Sequence, residues 1–154
     1  MISVLKITSI IILTIGLSAC GSYLKTGDEK PENQDDFSQQ IQPDSSTSSA
    51  VMALIKKARA NAINGEMDKA ISGLERALRI EPANSTVWHY MAKLFLQQEN
   101  YKQAAGYAAK STSLARDNKK LIIDNWRIIA HARYRLGNIK GAKKAQDTIN
   151  KLQQ

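Results

Sequence analysis

The sequence predicts an all-α fold: a short solenoid of about three helix-turn-helix repeats over residues 50–154. Three observations carry this. A short pattern, Gly65-Glu66-Met67-Asp68-Lys69-Ala70, returns as Glu99-Asn100-Tyr101-Lys102-Gln103-Ala104 and again as Gly137-Asn138-Ile139-Lys140-Gly141-Ala142. The alanines that close it are Ala70, Ala104 and Ala142; the second interval is longer than the first, and Trp88 and Trp126 share that longer interval. Self-similarity at a period of about 20–50 residues marks stacked units that bury a shared core. The stop signals keep the same phase. Gly65 and Gly137 sit where a helix must end in a left-handed residue, and Pro82 halts a helix before the next unit starts.

Each unit is legible in turn. The first, from Val51, carries Leu54, Ala58, Ala70, Leu74, Ala77 and Pro82. The second, from Ser85, carries Trp88, Ala92, Phe95, Ala104 and Ala108, with Arg116 where the first has its proline. The third, from Ile123, carries Trp126, Ala130, Gly137 and Ala142, then loses the pattern at Gln146. The four additional residues before it fall around Asp117–Leu121. Alanines at a helix crossing let two backbones approach, and large residues fill the gaps beside them. Asn84 or Ser85 is placed to cap the helix that follows. A last helix over about Lys140–Leu152 has Ala142, Ala145, Ile149 and Leu152 on one stripe. Lys143, Lys144, Asp147 and Lys151 lie off it, which suits the polar outer face of a terminal repeat. In phase and spacing the three units resemble the tetratricopeptide repeat, a helix-turn-helix unit of about 34 residues.

Upstream of the repeats the composition changes twice. Lys6 precedes an apolar run from Ile7 to Ala19. That is too short for a transmembrane helix, which needs about 20 residues, and fits the hydrophobic region of a secretory signal. The run stops at Leu17-Ser18-Ala19-Cys20, and Cys20 is the only cysteine in the chain. These residues resemble a bacterial lipobox. The resemblance implies a lipoprotein signal peptide over 1–19, cleavage before Cys20, and lipidation of Cys20. More than one acyl chain is needed for a stable membrane hold. Gly21 follows, where an aspartate would be an inner-membrane retention signal in that family. The implied localisation is the outer membrane, facing the periplasm.

Residues 20–49 read as the lipidated cysteine and an acidic, Ser-rich tether. Apolar residues are sparse there, and such a segment buries too little surface to offset its ordering entropy. The segment reads as a spacer, and the alternative reading is a short binding motif around Phe37 and Ile41. Charge divides with this boundary. Residues 21–49 hold two lysines against six acids, a net −4, while residues 50–154 hold 19 Lys and Arg against 8 Asp and Glu, a net +11. In an exported protein such a basic domain faces acidic protein surfaces, peptidoglycan carboxylates or anionic head groups rather than nucleic acid.

No catalytic constellation appears. Two histidines, His89 and His131, and a lipidated cysteine give no metal cluster, no nucleophile and no phosphate loop, so the expectation is a non-enzyme without cofactors. Tetratricopeptide proteins commonly bind partners on the face made by the first helix of each unit. Carried onto this chain, that implies Ile55, Arg59 and Ala62 in the first unit and His89, Lys93, Leu96 and Gln97 in the second. The third unit supplies Arg127, His131, Tyr134 and Arg135. Four cations, two imidazoles and a tyrosine would suit an acidic partner.

Lipid anchor, tether and repeat domain together resemble the tetratricopeptide outer-membrane lipoproteins that activate class A penicillin-binding proteins, the bifunctional peptidoglycan synthases. Val87–Leu94, Lys110–Ala115 and Asn125–Ala130 carry the local likeness. The resemblance implies a class A penicillin-binding protein as partner, a membrane hold through the lipid, and contact with peptidoglycan. Two other readings stand beside it: a pilotin or scaffold for a pilus, secretin or other outer-membrane machine, and a carrier of peptidoglycan or anionic lipid.

Overall fold

The computed structural model describes residues 41–43 and 45–154. Cys20, Phe37 and the segment before Ile41 lie outside the described residues. Six α-helices follow one another without a strand among those described: α1 (Ser49–Ile63), α2 (Met67–Ile80), α3 (Ser85–Gln97), α4 (Tyr101–Leu114), α5 (Lys119–Arg135) and α6 (Ile139–Gln153). They pair as three helix-turn-helix units, and each unit stacks on the next, as the sequence pattern predicts.

Local chemistry sets the helix ends. Ser48, Asn84, Asn100, Asn118 and Asn138 each accept a hydrogen bond from the backbone three residues on, capping α1, α3, α4, α5 and α6. The turn inside each unit is the same structure three times. Gly65, Glu99 and Gly137 adopt φ of 78°, 58° and 75°. Glu66, Asn100 and Asn138 then donate their amides back to the carbonyls of Asn61, Phe95 and Arg133 at 2.8–2.9 Å, the Schellman closure of a helix end. Glycine tolerates this backbone without strain; Glu99 does not.

The alanines of the repeat pattern lie in the core. Ala70, Ala92 and Ala104 are fully buried, and Ala58, Ala130 and Ala142 nearly so. One core joins α1, α2 and α3 through Leu74, Val87, Tyr90 and Leu94. A second runs from α3 through Ala104 and Ala108 of α4 to Ile128 and Ile129 of α5. On α6 only Ala142, Ala145 and Ile149 are buried. Its lysines at 143, 144 and 151 face solvent, as expected of a terminal helix.

The four additional residues are helical. Ser85 opens α3, and its counterpart in the third unit is Ile123, yet α5 starts at Lys119. Four residues are close to one turn, so the helix gains length while keeping its buried stripe in phase. The added turn carries Leu121, which is buried with Ala115 and Ile41. Ile41 thus packs on the repeats from within the segment expected to be tether. Between it and α1, Thr47 accepts a bond from Asn84 Nδ2 at 3.0 Å, and Ser48 donates its amide to Glu81 at 2.9 Å. Burial raises the Glu81 pKa, but the bonds from Ser48 and Asn84 outweigh it and the net shift is downward. Residues 41–43 therefore lie at the start of α5 and residues 45–48 lead into α1; these two stretches are the strap.

Candidate partner-binding face

α1, α3 and α5 are the first helices of the three units, and α3 touches both of the others. The residues expected to line their shared face divide by depth. On α1, Arg59 is half-buried, with its guanidinium 5.6 Å from the centre of the Tyr90 ring. On α5, Arg127 and Tyr134 are half-buried and Arg135 is exposed. On α3, His89 and Lys93 are buried, at 2 % and 5 % exposure, and His131 of α5 is buried at 4 %. Ile55, Ala62 and Leu96 are buried too, whereas Gln97 is exposed. The expected open surface of four cations and two imidazoles is thus a correction in part. The central positions form the floor, because α3 has a helix on either side, and only the flanks remain reachable.

His89 belongs to a hydrogen-bonded chain across three helices. The Ser111 hydroxyl on α4 donates to the Ser85 carbonyl at 2.8 Å. It can then only accept from Asn125 Nδ2 on α5, at 2.7 Å. This fixes the amide so that Asn125 Oδ1 faces His89 Nδ1 at 2.8 Å, and the imidazole must donate through Nδ1. Burial drives the His89 pKa down from 6.5 to about 4; the Asn125 bond opposes this, and the Lys93 charge adds to it. The ring is neutral at pH 7 and ties α3 to α5. Sequence reasoning singled out His89 but missed Asn125 and Ser111, which carry no periodic signal of their own.

The flanking cations are partly neutralised. Arg127 pairs with Asp124 at 2.9 Å, both on α5. Arg135 lies over the Tyr101 ring, 4.5 Å from its centre, with the Glu99 carboxylate at 3.7 Å. The Tyr101 ring also stacks with His131, at 6.2 Å between centres. Arg135, Tyr101 and His131 thereby form one cluster linking the second and third units. It holds a guanidinium at the surface in a fixed place, which suits recognition of a carboxylate.

Among the described residues no group of three or more His, Cys, Asp or Glu side chains could hold a metal ion, and no helix is long and apolar enough to cross a membrane. No protein-family model matches the chain, and no curated protein sequence does. Solved structures do match. The globular C-terminal domain of P. aeruginosa LpoP is 30% identical, with a TM-score of 0.64, over 67% of this chain and 97% of that one. The N-terminal domain of stress-induced protein-1 (STI-1) from C. elegans has a TM-score of 0.60 over 72% of this chain and 100% of its own, at 14% identity. The second likeness concerns the fold alone. The first extends to sequence and bears out the resemblance to tetratricopeptide-repeat lipoproteins as far as the repeat domain carries it.

Proposed function

The chain belongs to the family represented by the globular C-terminal domain of P. aeruginosa LpoP, and from that premise we propose that it is a lipid-anchored periplasmic interaction module. In this reading it binds and activates a class A penicillin-binding protein. Cys20 carries the lipid at the outer membrane, and the acidic segment after it spans toward the synthase. The module binds and has no active site of its own.

The observation that carries the reading is a match that spans nearly all of the LpoP domain. The face of α1, α3 and α5 supplies the contact. Arg59, Arg127, Tyr134 and Arg135 reach the partner, while His89, Lys93 and His131 shape the floor beneath them. Activation follows if the synthase's active conformation binds this face better than its inactive one.

The test measures glycan polymerisation by a purified class A penicillin-binding protein with and without the lipid-free domain. Stimulation is the expected result. Reversing Arg127 and Arg135 together to glutamate should weaken it about fivefold, the equivalent of roughly 1 kcal/mol for exposed charges, with helicity unchanged. Lys93 is the wrong choice for this variant, because a carboxylate at its buried position would disturb the fold. Stimulation equal to that of the unsubstituted domain would place the contact elsewhere.

A further inference from the structure

The strap is anchored near α1 by the bonds of Thr47 and Ser48 and, at its other end, by Ile41; the Ile41 seat is built from parts the repeat pattern does not require. The Ile41 side chain is 3 % exposed, against Ala115 at the end of α4, Leu121 and the neighbouring Ile122. Leu121 lies on the additional turn of α5, so the insertion that breaks the repeat spacing supplies the pocket. The Ile41 amide donates to the Tyr90 hydroxyl at 3.2 Å. Tyr90 is otherwise a core residue of α3, and its ring lies beside Arg59 on the partner-binding face. Asn118 and the exposed Lys120 border the strap at Gln42 and Pro43.

We propose that this seat is a binding site for an extended peptide segment of a protein partner, with one aliphatic side chain and a free backbone N–H, and that the strap occupies it in the unbound protein. The strap is its own template for that ligand. At this seat the contacts described are one buried side chain and one amide bond, and residues 41–43 lie outside any helix, so seating them costs ordering entropy. An attached segment competes through its high effective concentration, not through intrinsic affinity. A partner segment of the same chemistry displaces it once other contacts bring that segment near. The shared Tyr90 links strap release to the face that carries Arg59.

The experiment uses a fluorescein-labelled peptide of residues 37–48, titrated by anisotropy against the full-length chain in detergent. Against the Ile41→Asp chain the peptide should bind at least about tenfold more tightly than against the unsubstituted chain, because the attached competitor is disabled. A peptide that itself carries Ile41→Asp should bind neither. Equal binding to both chains, or no binding to the Ile41→Asp chain, overturns the proposal. Hydrogen exchange on the unsubstituted chain decides it if the variant loses its helical circular dichroism. The Ile41 amide should exchange at least about 100-fold faster than the Tyr90 and Leu94 amides, since the strap opens without the repeats, and Tyr90→Phe should speed it further. Exchange of Ile41 at the rate of those core amides would mean that the strap leaves only when the whole fold does, and would overturn the proposal. Neither readout involves a synthase, so failure here is separable from failure of the activation reading.

Discussion

α3 and α6 are similar in length and differ in almost everything else. α3 lies inside the stack, against α1, α2, α4 and α5, while α6 packs on α5 alone. Ten of the thirteen residues of α3 are buried, including His89 and Lys93; on α6 the buried set is Ala142, Ala145 and Ile149. In a solenoid the number of neighbouring helices decides burial, and polarity then has to be accommodated. α3 accommodates it with a hydrogen-bonded chain to α4 and α5. α6 has no such need, since its polar side chains already face water.

Acid should expose this difference most strongly. The folded His89 pKa of about 4 lies below its ordinary 6.5, so below pH 6.5 the unfolded chain takes up a proton that the folded chain refuses. The stability His89 contributes is therefore complete above pH 6.5 and is lost as pH falls toward 4, by roughly 3 kcal/mol across that window. Urea midpoints at pH 7, 5.5 and 4.5 should show the decline. His89→Gln should flatten it; an equal slope in that variant would trace the decline to other groups.

Packing should give the next largest effect. Ala92→Leu on α3 inserts a branched side chain where helices meet on more than one side and should cost about 2 kcal/mol. Thermal unfolding followed by circular dichroism checks it. A cost near zero would mean that α3 has room the buried alanines do not suggest.

A stabilising change probes the junction between units. Glu99 occupies the left-handed turn position that glycine fills in the other two. Glu99→Gly should stabilise the domain by roughly 0.5–1 kcal/mol through relief of that backbone, even though the exposed pair with Arg135 is lost. A fall in the unfolding midpoint would show that the pair outweighs the strain.

The smallest effect belongs to α6. Lys143→Ala should move stability by less than about 0.5 kcal/mol. A larger change in the isolated protein would mean that the outer face of α6 is covered rather than solvated.

The repeats were legible because their signals are local. Gly65, Gly137, Pro82 and Asn84 end or start helices through their own backbone chemistry, and alanines at fixed phase mark the crossings. The insertion was legible as a length, four residues around Asp117–Leu121, but its form as a turn of helix was not. The outcome at Ile41 also lay beyond composition. Sequence places it with Phe37 in a short motif within a polar stretch, and its seat exists only once α3, α4 and α5 have come together.

Residue order alone was enough for the fold class, the number of units, the position of each turn and the residues of the first helices from which a partner face is drawn. These follow from short-range rules: a left-handed residue ends a helix, an asparagine caps one, and a stripe of small residues lets two helices meet. Which of the face residues stay on the surface was settled when the helices stacked. Arg59 and Arg135 flank the face because α1 and α5 are its outer helices. His89 and Lys93 sink beneath it because α3 is enclosed by its neighbours, and burial is a property of that enclosure rather than of any residue's own chemistry.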